Sequence, residues 1–251
     1  MTFMLSSTLA HLVADFILQS DRLVQEKDLL YVKAHIHHEL TVLVCSTIAL
    51  HFYGTLGLGL ALLLTVTHAA IDYLKSRGRS DLPRRQLALF VLDQALHLVA
   101  ITAVWDIFQP DLSEKVIGFY SANLMPRARA LLGTVSGVAI NDLLAIAVAY
   151  VSAVFAGASL VRYMLDTFVL PDNLRVDTGA GRYIGMLERA LMLTLVLADA
   201  LPSIAFVIAA KALARFKQLE RAEFAEYYLL GTLSSTLIAI TIGALLRRFI
   251  L

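Results

Sequence analysis

The sequence predicts an all-α integral membrane protein, a polytopic helical bundle of about seven or eight transmembrane helices. Three observations predict it. Of its 251 residues, 59% are hydrophobic and 16% charged, whereas a soluble domain is about half apolar and a quarter charged; mean hydropathy is +0.74. The apolar residues gather into runs close to the roughly 20 residues that cross a bilayer. Lys and Arg concentrate in two short connections between those runs. The formal net charge of +1 leaves no electrostatic footprint for nucleic acid as a partner. Cys45 is the single cysteine, so no intrachain disulfide can form.

The elements follow in order. Residues 2–19 form a first helix, short for a span; without a basic amino-terminal region or a small-residue cleavage site they read as a retained helix, not a signal peptide. SDRLVQEKDLLYVK, with Arg22, Lys27 and Lys33, is a polar connection. A second helix covers 34–52, and Gly54 opens a turn without charge. The third, 56–74, runs into KSRGRSDLPRR, which carries Lys75, Arg77, Arg79, Arg84 and Arg85. The fourth, 86–108, stops at Gln109-Pro110 and closes a first unit, 1–108.

Residues 109–180 read as an interfacial connection, an apolar stretch broken by Gly133, Gly137 and Asn141-Asp142 that makes a re-entrant or interfacial piece, a fifth helix over 143–165 with Asp142 as its N-cap, and the polar loop LPDNLRVDTGAG. In the third unit, 181–251, the run from Tyr183 to Phe216 suffices for two helices breaking at Pro202. A last helix over 225–246 ends in Arg247 and Arg248. GAGRYIG lacks the ending of a phosphate loop and follows no strand. Trp105, Tyr120, Tyr150 and Tyr163 suit interfacial or packing roles.

Inside the first unit an Asp and a His stand four residues apart three times: His11 and Asp15, His68 and Asp72, Asp93 and His97. A fourth run opens with His35, His37, His38 and Glu39. Positions i and i+4 share a helix face, so each pair is a two-toothed fork. Basic connections favour the cytoplasm, and the segments after the first and third helices hold eight Lys and Arg. With those segments inside and the amino terminus outside, the order of His and Asp reverses where the helix direction reverses. All three Asp then lie toward the cytoplasmic leaflet and all three His one turn deeper, with the His cluster of the second helix near the Asp layer.

An Asp at mid-span costs roughly 2.5–3.5 kcal/mol on an insertion scale, less near the interface. One fork alone ordinarily makes a helix–helix hydrogen bond. Three in matching order, beside a His cluster, point to a shared site facing a cavity or a cation. Carboxylates mixed with imidazoles suit Zn, Mn or Fe. The surplus over one four-coordinate ion suggests either two metals, which could act on both oxygens of a phosphoryl displacement, or one metal with acid/base groups. Intramembrane Asp and His also relay protons.

HLVADFILQSD, HIHHEL, THAAIDYLKSR and FVLDQALH resemble the amino-terminal half of bacterial membrane proteins grouped as domain-of-unknown-function family 3307. GRYIGMLERAL, IAAKALARF and AEYYLLGTLSS resemble a carboxy-terminal half often found with it. The resemblance spans nearly the whole chain except 109–178. It implies a multi-pass protein of the bacterial inner membrane and little about activity. The spacing of the forks is also similar to predicted membrane-bound, metal-dependent hydrolases induced by DNA damage.

The carboxy-terminal unit has its own polar set. Asp199 and Glu226 fit ion pairing, for instance Arg215 with Glu226. Glu188 and Lys211 lie deeper, where an unpaired charge is expensive; they pair with each other or bind an anionic substrate. The expected protein is a metal-dependent hydrolase of a phosphoester or lipid-linked substrate at the cytoplasmic leaflet, with membrane lipid as its partner. Asp15, His68, Asp72, Asp93 and His97 are the expected ligands of one or two divalent ions, Zn or Mn. His11, His35 and His38 are further ligands or acid/base groups. Two alternatives stay open: a proton- or ion-coupled transporter using the same cluster, and a structural protein whose forks only join helices.

Overall fold

A computed structural model describes residues 1–123, 140–168 and 180–250, and among these every regular element is helical. The helices are α1 (Thr2–Phe16), α2 (Asp21–Asp28), α3 (Val32–Leu50), α4 (Gly54–Arg77), α5 (Pro83–Phe108), α6 (Glu114–Asn123), α7 (Ile140–Leu165), α8 (Ala180–Leu197), α9 (Pro202–Ala214) and α10 (Ala222–Ile250). Four apolar segments among the described residues have the length and composition of a membrane span, or five if α1 and α2 count as one bent span. The expected seven or eight is not reached by that measure. The segment Val32–Arg77 counts once although it is two helices, and α8 carries Arg182, Glu188 and Arg189 in 18 residues.

α3 shows why these are membrane helices. Ala34, His38, Val42, Ser46 and Leu50 face inward at steps of four, while Ile36, Leu40, Val44 and Ile48 are exposed at the same step. α4 repeats the pattern, burying Thr65, His68, Asp72 and Ser76 and exposing Leu58, Leu62 and Val66. Polar residues inside and bulky aliphatic residues outside invert the helix pattern of a water-soluble protein. An apolar outer face of this extent needs lipid around it.

Boundaries differ from the sequence expectation in places with physical reasons. The first helix ends at Phe16 because the polar segment after it folds as α2, bent 87° from α1. Ser20 caps α2 by accepting from the Leu23 amide at 3.3 Å, as short hydroxyl side chains do at N-caps. Leu30 (φ 59°), Gln109 (φ 39°) and Asp199 (φ 58°) take left-handed conformations just past the ends of α2, α5 and α8, a common helix stop. The stop at Gln109-Pro110 and the break before Pro202 thus match the expectation. The fifth helix begins at Ile140, so Asp142 sits in its first turn and is not the N-cap. The expected re-entrant piece and most of the polar loop lie outside the described residues.

The chain divides into two compact units, residues 1–79 with 89–148, and residues 80–88 with 149–251. In the first, α3 approaches α1 and α4 most closely. Phe3, Leu50, Tyr53, Leu60, Ala61, Leu64, Ile101 and Val104 form its apolar core, against which Trp105 packs. In the second, Met192, Val196, Ile204 and Ala239 form the core between α8, α9 and α10.

The α3–α4 turn is tight. Gly54 has φ +65°, and a Cβ on Gly57 would lie 2.0 Å from the Leu50 carbonyl oxygen. Gly57→Ala is therefore expected to destabilise the first unit by at least the ~1–3 kcal/mol typical of overpacking, read as a fall in detergent unfolding temperature. Gly59→Ala, with nothing within 4 Å of the new methyl, should hold or raise it; equal behaviour of the two would contradict this packing.

Candidate metal centre

Four helices each bring one imidazole to the interior of the first unit: His11 on α1, His38 on α3, His68 on α4 and His97 on α5. None is more than 5% exposed. α5 runs antiparallel to α4, with His97 beside His68 (ring centroids 4.3 Å) and Asp93 beside Lys75. One ligand nitrogen from each of His11, His68 and His97 lies within 4.8 Å of the others. Their rings pack at 4.3–5.6 Å between centroids.

The outer nitrogens of this triad decide its chemistry. His97 Nδ1 meets the Asp93 carbonyl at 2.8 Å, and His11 Nε2 meets Gln94 Oε1 at 3.3 Å. Both partners only accept, so both nitrogens donate. His68 Nδ1 lies 3.3 Å from the Glu39 carboxylate and donates likewise. His11 and His97 therefore spend their N–H outward and keep a lone pair on Nδ1 and Nε2 respectively, whereas His68 meets a carboxylate at each ring nitrogen. His11 Nδ1 and His97 Nε2 are buried with no hydrogen-bond partner. His68 Nε2 faces the Asp15 carboxylate at 3.0 Å. Metal-ligating histidines are oriented by such outer acceptors.

Asp15 is the carboxylate open to the imidazoles. Its Oδ1 lies 3.0 Å from His68 Nε2, 3.3 Å from His38 Nε2 and 3.8 Å from His11 Nδ1. Ligands of a tetrahedral zinc, bonded at 2.0–2.1 Å, are about 3.3 Å apart. A cavity of about 20 Å³, lined by Ser7, Ser46 and Thr67 among others, adjoins the triad. That is room for about one water.

Asp72 and Asp93 are differently placed from Asp15. Asp72 holds the Lys27 ammonium, and Asp93 holds Lys75 at 2.7 Å. In the sequence these lysines served only as topology signals; in the structure they are counter-ions reaching in from α2 and the end of α4. Lys27 is 5% exposed, a depth that nothing in SDRLVQEKDLLYVK announces. Glu39 was legible only as part of the fourth run, yet it touches His68. His35 stands apart: its Nε2 meets the Lys27 carbonyl at 3.2 Å and its ring packs against Tyr73. His37 is exposed.

In the second unit Glu188 and Lys211 pair at 2.5 Å and account for each other's charge. Asp199 pairs with Arg247, whereas among the described residues no ion pair joins Arg215 to Glu226. Arg189, next to Glu188 in the same apolar run of the sequence, is 3% exposed. α7 carries a π-helical turn at Ser152–Ala156. The Arg189 guanidinium donates to the carbonyls of Ala153 (2.8 Å) and Val154 (2.9 Å), and to Ser235 Oγ (3.1 Å).

Removing Lys75 leaves Asp93 buried without its cation, a loss of about 3–5 kcal/mol for a broken buried pair. Lys75→Met should therefore lower stability more than Lys75→Met/Asp93→Asn does, in detergent unfolding curves. A double variant no more stable than the single one would show that the pair does not carry this energy.

Comparison with curated proteins and with solved structures gives no match. Residues 3–125, just under half of the chain, match the family model described as protein of unknown function (DUF3307), which spans every residue of the centre. The amino-terminal part of the chain is thus similar to the DUF3307 family.

Proposed function

We propose that His11, His68 and His97 bind one divalent transition metal ion, zinc or manganese, and that the protein is a membrane-embedded, metal-dependent hydrolase of a phosphoester or lipid-linked substrate. The observation that carries the reading is the outward donation of His11 and His97, which leaves two buried, unpartnered nitrogens converging with His68 Nε2 beside the Asp15 carboxylate. Charge supports a single ion. Asp15, Glu39, Asp72 and Asp93 bring four negative charges, and Lys27 and Lys75 return two. The remaining two, in apolar surroundings, match one divalent cation.

Three protein ligands leave a fourth position for water, whose pKa a catalytic zinc lowers to about 7. In this reading Asp15 is a fourth ligand or orients that water. His38, 3.3 Å from Asp15, takes the proton. His11 is a ligand, and His35 fixes α2 in place. The legs α3 and α4 each have the length of a crossing; counting them separately gives five spans, or six with α1 and α2 as one bent span, and α8 and α9 would bring the arrangement to about seven or eight. The setting is the bacterial inner membrane, with the connections after α1 and α4 cytoplasmic and lipid as the surrounding partner.

Metal content of the detergent-purified protein is the test. One zinc or manganese per chain is expected, lost in His68→Ala and His97→Ala. His38→Ala should keep the metal and lose roughly 10²–10⁴-fold in hydrolysis of phospholipid phosphoesters in vesicles, the usual contribution of a general base. No metal after reconstitution with either ion would end the reading. A cation pathway is the second reading, favoured because His68 bridges Asp15 and Glu39. Bound metal with flux into liposomes and no hydrolysis would select it.

A further inference from the structure

A second set of donors stands beside the triad. Ligand atoms of His38, Glu39, His68 and Asp72 all lie within 4.8 Å of one another. His38 is 0% exposed, and neither of its ring nitrogens makes a well-formed hydrogen bond. Glu39 Oε2 is likewise buried without one. Imidazole and carboxylate together suit zinc, manganese or iron. His68 cannot serve two ions at once without losing both ring protons, so an ion here has His38, Glu39 and Asp72, the three protein ligands of an open zinc site.

The Asp72 carboxylate of this set is held by the Lys27 ammonium. Lys27 arrives there by construction. The 87° bend between α1 and α2 turns α2 across the bundle, and Lys27 sits in its last turn. His35 Nε2 donates to the Lys27 carbonyl at 3.2 Å, and Arg79 reaches Asp28 at 3.8 Å. Leu30 (φ 59°) stops α2 just beyond. A lysine this deep would be costly without a carboxylate to receive it.

We propose that His38, Glu39 and Asp72 form a second metal site, and that the Lys27 ammonium is its resident cation, so that the wild-type chain takes one metal ion where its donors would suffice for two. A divalent ion and the ammonium cannot share Asp72, because two unshielded cations at that distance in apolar surroundings repel strongly. With Lys27 present the cluster has two net negative charges, enough for one ion. Without it there are three, and a second ion becomes favourable. The proposal uses the reading of the triad only for its baseline count.

The full chain in detergent, as wild type, Lys27→Met and Lys27→Met/Asp72→Asn, is titrated with zinc and separately with manganese. Metal per chain is then counted by mass spectrometry after free ion is removed. Methionine keeps the length and apolar stem of lysine; Lys27→Gln replaces it should the first variant not be monodisperse. The expected counts are one, two and one. Two ions in the wild type would overturn the proposal, since Lys27 would then exclude nothing. So would one ion in both the wild type and Lys27→Met, while the triad reading survives. No ion in the wild type but one in Lys27→Met would uphold the outer site and remove the inner one.

Discussion

Charge in an apolar interior has to be balanced, and the amino-terminal unit is built around that requirement. Four carboxylates and four imidazoles lie within α1, α3, α4 and α5, whose outer faces are aliphatic. In lipid those faces give the helices no hydrophobic reason to associate, so packing and polar contacts across the interior must hold them. Each Asp of the forks joins elements: Asp15 links α1 to α3 and α4, Asp72 links α4 to α2, and Asp93 links α5 to α4. Even α2, a polar helix of eight residues, is held by its lysine entering that interior.

The same requirement explains why the metal reading outranks a purely structural one. Lys27 and Lys75 neutralise two carboxylates and could have been joined by more cations if helix pairing were the whole purpose. The centre keeps Asp15 and Glu39 facing histidines instead. His11 and His97 also turn their N–H groups outward, so the interior holds their two nitrogen lone pairs beside the Asp15 carboxylate, all acceptors. Acceptors converging on acceptors are unfavourable until something positive, a metal ion or protons, sits between them.

The carboxy-terminal unit meets a buried charge in another way. Among the described residues no carboxylate pairs with the Arg189 guanidinium; it takes carbonyl oxygens that the π-helical turn of α7 presents, plus a serine hydroxyl. Gly157 makes the space, since a Cβ there would lie 3.3 Å from Arg189 Cδ and 3.2 Å from Ile238 Cγ2. Single π-helical turns inside α-helices recur at functional places. Here the turn is matched to one side chain, an internal cap for a cation that the helices could not otherwise bury.

Composition and run length were enough to determine a helical membrane protein, because a bilayer demands long apolar segments whatever their neighbours. The i, i+4 spacing of His and Asp, with its reversal between the third and fourth helices, was enough to bring His11, His68 and His97 to one level, because helix geometry and chain direction fix the level of a side chain. Which carboxylate meets which cation was beyond it. Lys27 and Lys75 look like loop charges in the sequence, and only the bend between α1 and α2 and the antiparallel run of α4 and α5 carry them to Asp72 and Asp93. The outward hydrogen bonds of the triad, the Glu39 contact and the Arg189 cap are likewise tertiary. They depend on distances between residues far apart in the chain, and local periodicity holds no record of those.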